Sequence, residues 1–254
     1  MHTKSKLPLN EIATKRIDNY PDRPTIVFLH DSLGCIKLWR DFPEKLGELT
    51  QCNVLIYDRQ GYGNSCSFSY SERNNFYMEQ EADILQKLLG YWNIEEAILF
   101  GHSDGGSIAL IAAAKYPEKI SAIITEGAHI FVEEVTINGI EEAKLLYKTT
   151  NLKTKLEKYH HTKTEEMFWA WARTWTTEEF STWNIENFLP SITCQSLIIQ
   201  GEEDEYGTLK QVERIITQTK GNSSPLLIPK VKHTPHKEVP ALILEEVSSF
   251  INQL

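Results

Sequence analysis

The stretch Gly101-His102-Ser103-Asp104-Gly105 constrains this chain more than any other, because of what stands on either side of it. Before it runs Ala97-Ile98-Leu99-Phe100, apolar and strand-like; soon after it runs Ser107-Ile108-Ala109-Leu110-Ile111-Ala112-Ala113-Ala114, helix-like. Strand, Gly-x-Ser-x-Gly, helix is the context of a nucleophile elbow. The turn is so sharp that the serine stands strained at its apex with its hydroxyl clear of the sheet. The positions two before and two after the serine must be small to avoid collision, and both are Gly. A plain glycine-rich turn opening a helix is the alternative, and the flanking pattern favours the elbow.

Short apolar β-rich runs alternate with helical patterns along the chain, which predicts a mostly parallel sheet covered by helices. Strands are expected at 25–30, 53–58, 96–100, 121–126, 196–200 and 225–229, with an added edge strand at 12–17. Most are continuous apolar runs, as in strands buried on both faces. Helices are expected at 37–49, 78–91, 103–115, 208–219 and 240–251. The alternation breaks after Glu126. From His129 to Phe188 the pattern is helical only, at 139–148, 152–159 and 164–174. So long a stretch exceeds one crossover. It reads as a helical cap, 129–187, inserted into a core made of 1–128 and 188–254. Open α/β sheets bind ligands at the carboxyl ends of their strands, so a cap there would roof the site.

A length of 254 residues suits one such domain with an insertion, and 41% apolar content is ample for a core. No apolar run approaches the roughly 20 residues that span a bilayer. The basic start Met1-His2-Thr3-Lys4-Ser5-Lys6 is followed by no signal-peptide core. The four cysteines, Cys35, Cys52, Cys66 and Cys194, are scattered without C-x-x-C spacing. Reduced thiols and a cytoplasmic location are therefore expected. A net charge of −9 argues against nucleic acid and anionic membrane surfaces as partners. Oligomeric state is not readable. Gly61-Tyr62-Gly63 lacks the third glycine and the strand–loop–helix setting of a dinucleotide loop, and His30-Asp31 lacks companion metal ligands. No cofactor or metal is implied.

A serine nucleophile needs a base, and the base an orienting acid. His233 comes after the last expected strand and precedes the final helix, so its loop can carry an imidazole over the elbow. His236, farther from the strand end, is expected to hold that loop. The acid should come after the preceding strand, in Gly201-Glu202-Glu203-Asp204-Glu205-Tyr206-Gly207, and Asp204 is the candidate. Glu126, at the end of an earlier strand, is the alternative. Backbone N–H donors for an oxyanion are expected at Asp104, after the nucleophile, and at Ser32, in the loop after the strand 25–30. The Asp104 side chain is expected only to complement the helix N-terminus. His30, His129, Trp171 and Trp175 are candidate pocket residues. Phe168, Trp171 and Trp175 share a helical face, either docking the cap or walling an acyl pocket. His129 either faces the site or is a satisfied structural histidine. The pair His160-His161 is expected to be exposed.

Together these motifs resemble the α/β-hydrolase superfamily, in its capped serine-hydrolase form, from about Thr25 to the C-terminus. Asp58-Arg59-Gln60-Gly61-Tyr62-Gly63-Asn64-Ser65 is similar to the family's D-R-x-G-x-G-x-S loop, Gly201 to Asp204 to its G-x-x-D acid loop, and His233 to Pro240 to its H-x-x-x-x-E-x-P segment. Asp31 stands where the family has the Gly of H-G, and Lys232 where it has the Gly before the histidine. The expected fold is α/β, a doubly wound mostly parallel sheet with an inserted helical cap. The expected activity is hydrolysis of a small-molecule ester, lactone or thioester through an acyl-enzyme on Ser103, His233 and Asp204. Carbon–carbon cleavage of a diketone with the same triad is the rival within the fold. A ligand receptor with little turnover is the rival of another class.

Overall fold

The computed structural model describes residues 9–69 and 73–254; the basic start of the chain lies outside them. The elements run β1 (Thr14–Ile17), β2 (Thr25–Leu29), α1 (Phe42–Thr50), β3 (Asn53–Tyr57), α2 (Tyr77–Tyr91), β4 (Ala97–His102), α3 (Asp104–Lys115) and β5 (Ile120–Glu126). Then come α4 (Glu134–Thr149), α5 (Leu152–His160), α6 (Thr164–Trp175), β6 (Gln195–Gly201), α7 (Leu209–Gln218), β7 (Ser223–Ile228), α8 (Pro235–Glu238) and α9 (Pro240–Ile251). The strands form one sheet in the order β1-β3-β2-β4-β5-β6-β7. β1 pairs antiparallel to β3 and every other pairing is parallel.

Side chains alternate across a strand, so each inner strand, β2 to β6, feeds two cores. Val27, Leu29, Leu55, Leu99, Ile123 and Ile198 pack on one face with α2 and α3. Ile26, Phe28, Val54, Ile56, Ile98, Phe100, Ile124 and Ile199 pack on the other with α1 and α9. This two-sided burial is why the strands read as unbroken apolar runs. Because β2 to β7 run the same way, their carboxyl ends share one edge. The residues just past those ends, His30, Asp58, Ser103, Gly127, Asp204 and His233, are thereby gathered from across the chain.

Two elements differ from expectation. The predicted helix 37–49 is a 3-10 turn, Ile36–Trp39, followed by α1. Pro43 stands in the first turn of α1, where its missing N–H costs nothing, but its ring would clash with a helix continuing from Trp39. Arg40, at φ 55°, makes the break. The loop carrying His233 also contains a short helix, α8, that the sequence pattern did not disclose.

Between β5 and β6 the described residues hold helices and 3-10 turns and no sheet strand. The two ends of this excursion are tied together: Ile185 N–H donates to Ile130 O at 2.8 Å, and Phe131 bridges Asn184. The last 3-10 turn, Glu186–Ser191, packs back onto the core through Leu189. The expected boundary at 187 thus falls inside a turn that packs with the core.

The Asp58 loop shows how a sequence motif becomes architecture. Asp58 is buried at the end of β3; Oδ1 accepts Ile36 N–H at 2.6 Å and Oδ2 accepts Asn64 N–H at 2.7 Å. Ser65 Oγ donates to Asp58 O and accepts Ala13 N–H. Asp58→Ala would strand two amides around a buried site. The expected loss is about 2–4 kcal/mol, read as a lowered urea midpoint at unchanged m-value.

Candidate active site

Ser103 sits between β4 and α3 at φ 54°, ψ −120°, a conformation that a residue with a Cβ rarely adopts. The turn closes as tightly as the sequence implied. A Cβ on Gly101 would lie 2.2 Å from Gly105 O, and one on Gly105 would lie 2.0 Å from Leu29 O. Ser103 N–H donates to Glu126 O at 2.8 Å, and Ser103 O accepts Gly106 N–H at 2.8 Å.

His233 Nδ1 lies 2.8 Å from Asp204 Oδ2 and 2.9 Å from Oδ1. Asp204 is itself held: Gln200 Nε2 donates to Oδ2 at 2.6 Å, and Tyr206 N–H and Gly207 N–H donate to Oδ1 at 2.8 and 3.3 Å. Burial opposes ionisation of Asp204, but the facing imidazole and the Tyr206 amide outweigh it and hold the carboxyl below its ordinary range. Burial likewise disfavours the His233 cation. Asp204, with Asp31 and Glu205 behind it, overcomes that and raises the imidazole above its ordinary value. The backbone of His233 is fixed as well: its N–H donates to Glu205 Oε2 and its carbonyl accepts from His102 Nε2. Ser103 and His233 line the same cavity, without a hydrogen bond between them among the described residues.

Glu126, the alternative acid, meets the other histidine. It is fully buried and accepts both the backbone N–H and Nδ1–H of His236. Burial opposes its ionisation, but His236 and His102 hold its carboxyl below the ordinary range. His236 packs 4.7 Å from the Trp39 ring, and burial keeps it neutral by lowering its pKa. It therefore holds the loop, as expected. Ligand atoms of His102, Glu126 and His236 come within 4.8 Å of one another, close enough for a metal ion. Their donors are already spent on His233 O and on each other.

The Asp31–Ser32 peptide is clamped from its carbonyl side. Asp31 O accepts from Gly34 N–H at 3.2 Å, His30 Nδ1–H at 2.7 Å and Arg59 Nη2 at 3.0 Å. A peptide is planar, so fixing its carbonyl fixes the direction of Ser32 N–H. His30 is not a pocket residue, against expectation. It lies behind the loop, where Nε2 accepts Arg59 N–H at 3.0 Å; burial and the Arg59 charge keep it neutral. Asp31 stands outside the left-handed region, so its position does not demand the Gly that the family has there. Its carboxylate is 3.8 Å from His102 Nδ1.

A cavity of about 260 Å³ opens on Ser103, with Ser32, Asp104, His129, Trp171, Trp175 and His233 in its wall. Trp171 and Trp175 therefore face it, while Phe168 is fully buried and stacks on Tyr147 at 3.9 Å between centroids. His129 is both lining and fixed: Nε2–H donates to Tyr206 O at 3.1 Å. Asp104 does more than complement the N-terminus of α3. Its carboxylate accepts Tyr77 Oη–H at 3.1 Å and pairs with Arg59 at 3.6 Å, and Trp175 Nε1–H donates to Tyr77 Oη at 2.9 Å. The sequence reading missed Arg59, Gln200, Glu205 and His102 as supports. Arg59 had a signal, its place in the D-R motif; Gln200 and Glu205 had none.

A sequence profile of the alpha/beta hydrolase fold matches residues 24–177. The chain belongs to this family. Serine hydrolase BPHL of Homo sapiens is 29% identical over 204 residues, 77% of this chain and 69% of that protein. The 2-succinyl-6-hydroxy-2,4-cyclohexadiene-1-carboxylate synthase of Escherichia coli O8 (strain IAI1) is 31% identical over 109 residues, 43% of this chain and 40% of that protein. Among solved structures, MGS-M2, an alpha/beta hydrolase enzyme from a Medee basin deep-sea metagenome library, superposes with a TM-score of 0.78 at 21% identity, over 96% of this chain and 94% of that one. This alpha/beta hydrolase chain is thus a hydrolase by family.

In this alpha/beta hydrolase Glu126 and Asp204 have separable partners, and Glu126→Gln tests that. Gln keeps one acceptor but loses the charge-assisted bond to His236, so a stability loss of about 1–3 kcal/mol is expected. The Glu126 pKa is depressed in the fold. Its contribution is present above the ordinary carboxylate pKa and disappears as pH falls through the folded value. The loss on mutation should therefore shrink in acid, while the ring-nitrogen NMR signals of His233 keep their midpoint.

Proposed function

We propose that this chain is a serine hydrolase that cleaves a small carboxylic ester, lactone or thioester through an acyl-enzyme. One observation carries the reading: an imidazole tethered to a buried, ionised carboxylate shares a cavity with a serine held in a strained left-handed turn. The names of the serine hydrolase relatives support it. Asp204, ionised, accepts Nδ1–H and so leaves the Nε2 lone pair of His233 for the serine. His233 takes the Ser103 proton as Oγ attacks the carbonyl carbon. The negative charge that develops on the carbonyl oxygen is met by the Ser32 and Asp104 amides. Collapse breaks the bond to the alcohol or thiol, which leaves with the proton from His233. Water, deprotonated by the same histidine, then releases the acid and restores Ser103.

The helical insertion 129–187 serves as the cap. It contributes Thr136 and Ile140 from α4 and Trp171 and Trp175 from α6 to the cavity wall. A volume of about 260 Å³ is small beside ligand pockets of roughly 300–1,000 Å³, which supports a short acyl group. The partner is a small molecule. Four unbridged thiols support a cytoplasmic enzyme. Similarity to the cyclohexadiene-carboxylate synthase favours a second reading, carbon–carbon cleavage of a diketone with the same triad.

A fluorophosphonate should label Ser103, and Ser103→Ala should abolish labelling; an adduct on another serine would sink the assignment. Asp204→Asn should lower turnover by roughly 10⁴ through the wrong tautomer. Because Asp204 raises the imidazole, kcat/KM should rise with pH at a midpoint above the ordinary histidine value of about 6.5, and His233→Ala should remove that limb. Cleavage of vinylogous diketones without ester turnover selects the second reading. Turnover below about 0.01 s⁻¹ on every panel, against a usual ~10 s⁻¹, selects a ligand receptor.

Trp171→Ala should enlarge the cavity and move preference toward bulkier acyl groups by about 1–3 kcal/mol. Phe168→Ala should instead cost about 3–5 kcal/mol of stability with acyl preference unmoved. Melting temperature and acyl preference measured on both variants separate wall from glue.

A further inference from the structure

His160, the last residue of α5, has no part in the chemistry above, and the sequence pattern had left it exposed. It is fully buried. Its Nδ1 accepts Gly63 N–H at 3.0 Å, and its Nε2–H donates to Leu33 O at 3.0 Å. The first bond needs a bare lone pair on Nδ1, so the ring is the neutral Nε2–H tautomer. Leu33 belongs to the turn that Gly34 N–H closes onto Asp31 O, the turn that carries Ser32. Gly63 belongs to the loop that Asp58 holds. Neighbours on the insertion grip the same loop: Lys163 Nζ donates to Ser65 O at 2.7 Å, and His161 Nε2 lies 3.2 Å from Asn64 Oδ1. His161 is exposed, as expected of the pair; His160 is the correction.

We propose that His160 is a positioning residue for the oxyanion turn, joining the helical insertion to the Ser32 loop so that the Ser32 amide is set only while the insertion is seated and this imidazole is neutral. The role rests on the serine-hydrolase reading and adds a control to it. Leu33 O is the next carbonyl after Ser32. Pinning it from the insertion complements the clamp on Asp31 O from the core side, and the turn is then held at both ends.

The surroundings set the sign of its pH response. Burial is the largest influence and disfavours the cation; the Leu33 carbonyl and the carboxylates of Asp31 and Asp58 favour it, and Lys163 disfavours it. His30, on the other side of the turn, is a further neutral imidazole that a charge on His160 would oppose. The net direction is downward, so His160 is neutral where His233 is active. In acid a proton on Nδ1 would confront the Gly63 N–H, turning an attraction into a repulsion and releasing the Leu33 turn.

The test measures the rate at which a fluorophosphonate labels Ser103 in the full chain, by intact mass, for wild type, His160→Leu and His160→Gln. Gln offers an acceptor oxygen and a donor nitrogen on a planar group and cannot titrate. His160→Leu should slow labelling by up to about 100-fold, the scale of a misplaced catalytic group, and His160→Gln should recover most of it. On the acid side the wild-type rate should fall with inverse first and then toward inverse second order in protons, as His160 titrates after His233. The His160→Gln profile should stay inverse first order. Wild-type labelling speed in a folded His160→Leu, or the same steepening in His160→Gln, overturns the proposal. If His160→Leu does not fold, the comparison of the two acid profiles decides alone. An unlabelled wild type overturns the hydrolase reading and this role with it. A labelled wild type with an indifferent His160→Leu overturns this role only.

Discussion

The backbone of Ser103 is held where a side-chain-bearing residue costs on the order of 1–3 kcal/mol, and much of the structure around it exists to hold it there. Gly101 and Gly105 let β2, β4 and α3 approach until a single methyl would strike a carbonyl. Glu126 O takes the serine amide, and α3 begins at once behind it. The strain does not persist because the turn prefers it. It persists because the parallel sheet and a helix buried from Asp104 to Ala113 leave the chain no other path.

Buried carboxylates do the same local work three times along the carboxyl edge of the sheet. Asp58, Glu126 and Asp204 each accept backbone amides from loops that would otherwise close over unsatisfied N–H groups. Asp204 and Glu126 also face an imidazole, but only the one opposite Asp204 reaches the cavity. The two histidines respond oppositely. His236, pressed among aromatic rings, is pushed down; His233, with Asp31, Asp204 and Glu205 around it, is pushed up. Their linkage to stability has opposite sign. Stability from the depressed groups fades as pH falls through their folded values, whereas that from His233 is full below about 6.5 and fades as pH rises through its folded value.

How much of this could be read beforehand depends on the range of the interaction. Strands buried on both faces announce themselves as apolar runs, and the elbow glycines sit within two residues of Ser103. The Asp204–His233 pair was legible as the candidate acid and base because parallel strands bring the loops at their carboxyl ends to one edge; naming the two residues needed only that rule and the order of the chain. Glu126 could not be separated from Asp204 by that rule, since both stand at strand ends. The decision comes from which histidine each carboxylate meets, 110 residues away for Glu126 and 29 for Asp204. His160 looked like a polar pair on a helix end because its partners, Leu33 and Gly63, offer only backbone atoms, which leave no mark in a sequence. His30 misled for the related reason that its place beside the Ser32 loop suggested the pocket, while its ring spends its hydrogen bonds on the Asp31 carbonyl and the Arg59 amide.

The insertion is joined to the loop of Ser32 by two routes that end two residues apart, on Asp31 O and Leu33 O. One passes from Trp175 through Tyr77 and the Asp104 carboxylate to Arg59, whose guanidinium grips Asp31 O. The other passes from His160 to Leu33 O. The first begins at a residue in the cavity wall, so whatever presses on Trp175 from inside the cavity presses on a chain that ends at the carbonyl of the Ser32 peptide. The cavity wall and the proposed oxyanion turn thus share one set of contacts. Residues in one network couple where distant ones add, and the wall of the cavity and the Ser32 amide sit at opposite ends of the same short series of buried hydrogen bonds and one ion pair.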